Sequence, residues 1–372
     1  MILLSLIIPL FLLSFVYPNV VSASSIEDIF TITKHGPGAC TEIQISTIHL
    51  YYLDMILMLQ AGLEIFDDVT QRESIGSNRD VHLRQKGARA MLEAWFGLEF
   101  EDPLAGDGKG VYSEPLDLHI FNFIKDVLER TWAFLHHNQP ISYLKGATPR
   151  IYCGDDWIPF ENGFFMGTSH IKPVQTTLEN TKRDEEVTFY ISGNVSDSFP
   201  GYSAAETRGY LEYFEYFFGK ISLRRTEGCT PPGVLGFAAW QLGIITLCPL
   251  VFDTESRQNL PRGNPLGPMD SSNTLENLRS RSMVLLHEVL HLVLGWENLG
   301  WRHAEVYSSD QCRIVVMIGD TEKYPTQKNP QSYCWFMQGA YLAQQARYAE
   351  GVYLEYSRGA PWYIALSSVE KL

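Results

Sequence analysis

Apolar residues recur every three to four positions along the first part of the chain, which is the spacing of an amphipathic helix. This pattern runs through residues 43–66, 81–100 and 116–136. Prolines and glycines interrupt it between residues 139 and 149, and short runs typical of β-strands begin at Arg150. The pattern therefore predicts a mainly helical N-terminal portion that ends near residue 148.

Beyond residue 148 the hydrophobic pattern changes from segment to segment. β-Branched and aromatic residues predict strands at residues 186–192 and 243–251. Strong helix formers predict a helix at residues 275–294, with Gly295 as its C-terminal cap. A second helix is predicted at residues 329–342, and we expect its aromatic residues to pack in the core against the first helix. This mixture predicts an α+β fold.

An apolar, uncharged run occupies the start of the chain and ends in the small-residue pattern Val-Ser-Ala at residues 21–23. Such a run is typical of a signal peptide, so we expect residues 1–23 to be removed. A membrane anchor is the alternative, but Pro18 breaks the apolar stretch before it reaches the ~20 residues that a spanning helix needs. The sequence thus predicts a secreted, extracellular protein with no stable membrane association after cleavage.

The rest of the chain has the composition of a folded protein, since 45% of all residues are hydrophobic and 13% are aromatic. That content suffices for one large domain or for two. The formal net charge of -14 argues against nucleic acid as a partner, because nucleic acids are bound through clustered lysine and arginine. Composition leaves the oligomeric state open.

Six cysteines follow the predicted cleavage site, and an even number in an exported chain favours disulfides. The candidates are Cys40, Cys153, Cys229, Cys248, Cys312 and Cys334. No C-x-x-C spacing of a cysteine-bound zinc site occurs among them. The sequence Asn-Val-Ser beginning at Asn194 predicts a site of N-glycosylation.

A His-Glu-x-x-His motif lies inside the helix predicted at residues 275–294, with His287, Glu288 and His291 as its polar members. Residues four apart lie one helical turn above each other, so both imidazoles can bind a single zinc ion. The neighbouring carboxylate can then act as the general base toward a zinc-activated water. The flanking residues are apolar nearly all round, which predicts a buried helix. The alternative is a pair of core histidines that are satisfied by hydrogen bonds without metal.

A catalytic zinc ion needs a third protein ligand and one open position. In one class of proteases the longer motif H-x-x-G-x-x-H supplies this ligand, but here Glu297 stands where that motif has its last histidine. The nearest candidates along the chain are His303, which we favour, and Glu305. The residues alone leave both alternatives open.

Several motifs in the second half of the chain resemble fungal secreted zincins, the aspzincin-like group of deuterolysin and the peptidyl-Lys metalloendopeptidases. In chain order they are Ile-Tyr-Cys at 151–153, Ile-Ile-Thr-Leu-Cys-Pro at 244–249, the motif helix at 287–291, Tyr-Ser-Ser-Asp-Gln-Cys at 307–312, and Asn-Pro-Gln-Ser-Tyr-Cys-Trp-Phe at 329–336. The resemblance implies a zincin-like catalytic domain at residues 149–345. The helical portion at residues 24–148 is then either a propeptide or part of one large domain, and residues 346–372 form a C-terminal tail.

The resemblance also implies roles for single residues. Tyr307 corresponds to a tyrosine that holds the oxyanion of the tetrahedral intermediate. The group's third ligand is an aspartate three residues earlier, where this chain has Ala304, and a glycine usually follows the tyrosine, where it has Ser308. Either a flanking residue replaces the aspartate, or the site is incomplete. A disulfide between Cys312 and Cys334 would brace this segment to the helix that follows.

Together these features predict a hydrolase, namely a secreted metalloendopeptidase that cleaves protein or peptide substrates with one zinc ion. Glu288 favours catalysis, because metal capture alone does not require it. The alternative is a catalytically weak or inactive zincin-like protein that binds zinc or a surface partner. The G-x-S-x-G string of many serine hydrolases does not occur.

Overall fold

The computed structural model describes residues 25–70, 79–100, 115–144, 146–157, 160–161, 164–165, 174–175, 188–189, 229, 233–253, 260, 275–276, 278–297, 305–318, 325–348, 352–357 and 360–365. These residues form a mostly helical α+β fold with a small mixed sheet, which confirms the predicted class. Among them, no helix is long and apolar enough to cross a membrane. The predicted signal peptide lies outside the described residues.

The described residues of the N-terminal portion contain four α-helices. They are α1 (Ile26–Ile29), α2 (Glu42–Thr70), α3 (Arg79–Phe96) and α4 (Leu118–His137). The last three confirm the three helical patterns of the sequence. Asp117 caps α4, because its side chain accepts a hydrogen bond from the Ile120 backbone N–H at 2.9 Å. Asn138, in the left-handed conformation, ends the same helix.

Strands from both halves of the chain form one four-stranded sheet. They are β1 (Thr31–Ile32), β2 (Arg150–Tyr152), β7 (Gly236–Ala239) and β8 (Ile244–Leu247), in the spatial order β1-β2-β8-β7. The first three in this order run parallel, whereas β7 is antiparallel, with Ala238 opposite Ile245. β8 is shorter than the strand predicted at residues 243–251, because Pro249 lacks a backbone N–H and begins a 3-10 helix, Pro249–Phe252.

The remaining described strands form two further sheets. One holds the two-residue strands β3 (Phe160–Glu161), β4 (Phe164–Phe165), β5 (Val174–Gln175) and β6 (Thr188–Phe189), in the order β3-β4-β6-β5. The other is an antiparallel pair of β9 (Val352–Ser357) and β10 (Ala360–Ala365). β6 lies within the strand predicted at residues 186–192, and the antiparallel pair lies in the range predicted as a C-terminal tail.

Three further α-helices follow β8 in the described part of the chain. They are α5 (Ser282–Leu294), α6 (Ser309–Ile318) and α7 (Pro330–Tyr348). α7 confirms the helix predicted at residues 329–342, and it packs against the motif helix α5 as expected. Its large side chains lie in the core, as predicted: Tyr333, Phe336, Met337 and Tyr341 are all buried.

The motif helix α5 begins at Ser282, later than the predicted residue 275. The preceding residues form turns because α7 binds their backbone. The Gln338 side chain donates to the Leu278 carbonyl at 3.0 Å and accepts from the Ser280 N–H at 2.9 Å. The Ser280 hydroxyl in turn accepts from the Ser282 N–H at 3.3 Å. At the other end the helix stops at the predicted Gly295, whose φ of 51° is one that glycine adopts without strain.

One hydrophobic cluster joins the helices to the sheet formed by β1, β2, β8 and β7. Within it, α2 contacts α4, α5 and α7. α2 and α7 approach closely at Gly62, since a Cβ atom there would lie 2.8 Å from Cγ of Met337. The disulfide between Cys40 and Cys153 links the chain just before α2 to the end of β2. The described parts of the N-terminal helices and of the motif region therefore share a core.

Four of the six cysteines form disulfides, as Cys40–Cys153 and Cys229–Cys248. The predicted brace between Cys312 and Cys334 is wrong, because both are buried free thiols. The Cys312 thiol lies 3.6 Å from the Val306 carbonyl, and the Cys334 thiol lies 3.7 Å from the Met283 carbonyl. Each thiol donates to a backbone carbonyl instead of bonding to the other.

Candidate metal centre

The motif helix α5 is buried along its whole length, as its apolar sequence predicts. It packs against β7 of the sheet and against α2, α4 and α7. The exposed fractions of His287, Glu288 and His291 are 6%, 4% and 2%. The motif is thus confirmed on a buried helix, where each polar side chain needs a partner.

The two imidazoles converge on one point, with their Nε2 atoms 3.0 Å apart. The Glu305 carboxylate faces both nitrogens, with its Oε1 3.4 Å from Nε2 of His291 and its Oε2 3.6 Å from Nε2 of His287. Ligand atoms around a tetrahedral zinc ion with bonds near 2 Å are roughly 3.3 Å from one another. The three separations therefore fit a small cation held between these groups.

The structure brings one of the two predicted third ligands to the histidines. That residue is Glu305, whose side chain is 7% exposed and so is about as buried as the imidazoles. His303 and Ala304 lie outside the described residues. Glu297, which stands at the histidine position of the longer protease motif, pairs instead with Arg130 at 2.7 Å.

Glu288 is the second carboxyl group of the centre. Possible ligand atoms of His287, Glu288 and His291 all lie within 4.8 Å of one another. Burial raises the pKa of Glu288 to about 7; the charge of His287 opposes this rise, and the charge of Glu305 adds to it. A carboxyl group with a pKa near neutrality can both accept and release a proton, which is what general acid–base catalysis requires.

The pKa of Glu305 is shifted in the opposite direction. Burial acts to raise this pKa, but attraction to His291 and hydrogen bonds with both histidines outweigh burial, so the pKa is held well below its ordinary value. Glu305 therefore stays ionised under conditions in which Glu288 takes up a proton. The centre thus contains one carboxylate suited to bind a cation and one suited to transfer protons.

Tyr307 lies at the margin of the centre, where 50% of its surface is exposed. Its hydroxyl donates to Oε2 of Glu305 at 3.0 Å, and its ring centroid lies 5.7 Å from that of His287. Burial of the hydroxyl, followed by the charges of Glu305 and Glu288, raises the pKa of Tyr307 above its ordinary value. The phenol is therefore a protonated hydrogen-bond donor next to the histidine pair.

A buried oxygen without a hydrogen-bond partner is one indication of whether a metal ion fits this centre. Oε2 of Glu288 is buried and has no hydrogen-bond partner among the described residues. An unpaired carboxylate oxygen in a protein interior is costly, and a cation beside it offsets that cost. Two imidazole nitrogens and a carboxylate oxygen also form a donor set that divalent metals bind. The residues present therefore fit a metal ion.

The sheet reaches the centre at Gly236 in the edge strand β7. A Cβ atom at this position would lie 3.4 Å from Cγ of Glu288, 3.3 Å from Cγ1 of Val284 and 3.0 Å from the Thr246 carbonyl. A side chain there would press on the motif helix, so glycine allows the strand to lie directly against it. The candidate site therefore lies beside an edge of the sheet.

Sequence reasoning missed two residues that contact this centre through the backbone. It treated residues 329–342 as packing, yet Asn329 and Trp335 donate hydrogen bonds to the segment that carries Glu305. The available signal was Asn329 itself, a polar residue directly before Pro330 at the start of a helix with an aromatic core face. The predicted glycosylation site, Asn194, lies outside the described residues.

No protein family, curated protein or solved structure matches this chain. The class of protein is therefore defined by the fold and the site. It is an α+β protein in which a buried helix presents a His-Glu-His group that can hold a metal ion, and a glutamate from a later segment lies beside that group.

Proposed function

We propose that this chain is a zinc-dependent endopeptidase with a zincin-like catalytic unit. The observation that carries the proposal is the presence of two unlike carboxyl groups at one histidine pair. Glu305 is held ionised between the imidazoles, whereas the pKa of Glu288 is raised to about 7. A site that only captures metal needs the first group, and a site that also moves protons needs the second.

His287, His291 and Glu305 would hold the zinc ion. When bound, zinc polarises a substrate carbonyl and lowers the pKa of a coordinated water. Glu288 would take the proton of the attacking water and deliver it to the leaving amine. Tyr307 would turn its hydroxyl from Glu305 toward the substrate oxygen on which negative charge develops, and donate a hydrogen bond there.

The edge strand supports a protein or peptide as the substrate. β7 is an edge strand of the sheet β1-β2-β8-β7, and its outer edge has no partner strand among the described residues. An extended peptide can add to such an edge through backbone hydrogen bonds, which do not depend on its sequence. Since Gly236 in this strand lies against Glu288, a peptide bound there would pass close to the candidate centre.

The proposal includes export from the cell. Two disulfides suit an oxidising compartment, and the apolar run at residues 1–23 with its small-residue end suits a signal peptide. In that setting Asn194 would be available for glycosylation.

The test is to express the full chain, measure bound zinc by mass spectrometry, and assay cleavage of a denatured protein. We expect the wild type to hold one zinc ion and to cleave. Glu288→Gln should keep the zinc and lose activity by about 100- to 10,000-fold, because it cannot accept a proton. Glu305→Gln should lose both zinc and activity. Glu297→Gln is the matched control, since this glutamate pairs with Arg130 away from the histidines, and it should keep both.

A wild type that binds zinc and cleaves nothing would replace the peptidase with the zinc-binding alternative, in which the same centre serves a structural or surface-binding role. A wild type without zinc would remove both proposals. Loss of zinc in His303→Ala, with zinc kept in Glu305→Gln, would assign the third ligand to His303.

A further inference from the structure

Glu305 and Tyr307 lie on a short segment, residues 305–307, that belongs to no helix or strand. Its position therefore depends on contacts with other elements. Two of its backbone carbonyls accept hydrogen bonds from one region of the chain. The Asn329 amide donates to the Val306 carbonyl at 3.2 Å, and the Trp335 indole N–H donates to the Tyr307 carbonyl at 3.1 Å.

Both donors are themselves held in place. Asn329 is 1% exposed, and its amide also contacts the Ser332 hydroxyl at 3.1 Å and the Cys312 thiol at 3.5 Å. Trp335 is 0% exposed, and its ring stacks on Trp95 of α3 with the ring centroids 6.4 Å apart. Because neither side chain can move without breaking these contacts, both can act as rigid anchors for the segment.

α7, the helix that carries Trp335, also contacts the motif helix. Gln338 of α7 accepts a hydrogen bond from the Ser280 N–H just before α5, at 2.9 Å. The Cys334 thiol lies 3.7 Å from the carbonyl of Met283 within α5. α7 thus contacts both the motif helix and the segment that carries Glu305.

The segment also has two hydrogen bonds to the helix that follows it, and these two do not link it to the motif helix. The Gln311 side chain accepts from the Tyr307 N–H at 3.3 Å and from the Ser308 N–H at 3.2 Å. Gln311 lies on the exposed face of α6, the helix that directly follows the segment. It shapes the turn into that helix, whereas Asn329 and Trp335 connect the segment to the buried interior.

We propose that Asn329 and Trp335 are positioning residues that set the distance between Glu305 and the histidine pair, and through it the affinity for zinc. This inference rests on the zinc site proposed above. Partners of metal ligands commonly change affinity by about 10- to 100-fold when they are removed. A purely structural role would leave the metal affinity of the folded variants unchanged.

The experiment uses the full chain and two readouts, zinc affinity by competition with a chelator and the visible absorption of the Co²⁺-substituted protein. Asn329→Ala removes the donor to Val306, and Trp335→Phe keeps a ring in the stack but removes the donor to Tyr307. We expect each variant to bind zinc about 10- to 100-fold more weakly. We also expect weaker cobalt absorption, since Co²⁺ absorbs most strongly when it is four-coordinate and Glu305 would no longer be held in place.

Tyr52→Phe is the matched control, because it removes one buried hydrogen bond from a side chain to a backbone carbonyl, that of Leu135 at 2.8 Å, and leaves both bonds to the segment intact. It should keep wild-type zinc affinity and the wild-type cobalt spectrum. An equal loss in Tyr52→Phe would overturn the proposal, since it would show a general effect of packing. Circular dichroism identifies the variants that fold, and if Asn329→Ala does not, Trp335→Phe decides.

The failure of this inference differs from the failure of the proposed function. If the wild type binds zinc and the folded variants match it in affinity and in cobalt spectrum, the positioning role is wrong and the zinc site stands. If the wild type binds no zinc, the site and the positioning role both fall.

Discussion

At the scale of single residues, the two carboxyl groups of the centre differ because their surroundings differ. Glu288 projects from a buried helix and its Oε2 has no hydrogen-bond partner among the described residues, so burial dominates its pKa. Glu305 is also buried, but it lies within 3.6 Å of one histidine and 3.4 Å of the other. The Glu305 carboxyl group is therefore kept ionised, whereas the Glu288 carboxyl group is able to hold a proton.

This difference predicts how the metal-free protein responds to pH. The pKa of Glu288 is raised from 4.5 to about 7 in the folded protein, so the folded state binds more protons than the unfolded state between these values. Stability should then fall as pH rises from about 4.5 to about 7. We expect metal-free Glu288→Gln to be more stable than the metal-free wild type at pH 8, by about 3 kcal/mol, and similar to it at pH 4.

Urea unfolding of both metal-free proteins across this pH range measures the effect. Glu305→Gln serves as a control of opposite sign. The lowered pKa of Glu305 means that its ionised form stabilises the folded state when the pH is above the ordinary pKa of glutamate, and this contribution is lost as the pH falls. It should be less stable than the wild type at pH 7. A Glu288→Gln variant with the same pH dependence as the wild type would contradict the raised pKa.

At the scale of elements, the position of the motif helix depends on the helices that pack around it. α2 contacts both α5 and α7, so the spacing of these helices is set partly by the small residues at their contacts. Gly62 of α2 lies against Met337 and Phe336 of α7. Gly87 of α3, by contrast, has open space where a Cβ atom would lie.

These two helical glycines provide a matched pair of substitutions. Gly87→Ala should stabilise the protein by about 0.5 to 1 kcal/mol, because alanine favours the helix and meets no neighbour. Gly62→Ala should destabilise it by about 1 to 3 kcal/mol, since its Cβ atom would lie 2.8 Å from Cγ of Met337. Thermal or urea unfolding measures both, and stabilisation by Gly62→Ala would show that α2 and α7 are not packed as described.

At the scale of the whole molecule, a shared core connects the N-terminal helices to the motif region. β1 pairs with β2 in the central sheet, and the Cys40–Cys153 disulfide joins residues that are 113 positions apart. The second disulfide, Cys229–Cys248, spans only 19 positions. A cross-link that closes a longer loop removes more conformational freedom from the unfolded chain.

We therefore expect the two disulfides to contribute unequally to stability. Replacing Cys40 and Cys153 together with alanine should lower the free energy of unfolding by about 4 to 5 kcal/mol, whereas replacing Cys229 and Cys248 should lower it by about 3 kcal/mol. Urea unfolding of the two double variants under one set of conditions gives the comparison. A larger loss from the shorter loop would show that local strain or packing, and not loop closure, governs these cross-links.

Part of this architecture could be predicted from the sequence because it depends on local spacing. The three- and four-residue recurrence of apolar positions marked α2, α3, α4 and α7, and Gly295 marked the end of α5. The start of α5 was misplaced, since propensity favoured an earlier start and Gln338 from a distant helix holds those residues in turns. The bonds from Asn329 and Trp335 were missed for the same reason, because both join segments far apart in the chain.

The sequence by itself determined that His287 and His291 meet on one face of a buried helix with Glu288 beside them, because the period of the α-helix places residues four apart above one another. Only the tertiary structure decided that Glu305 joins the two histidines, and that Cys312 and Cys334 remain thiols. These outcomes depend on how separate elements pack. A shift of a few ångströms makes or breaks such contacts, and no local pattern of residues records that distance.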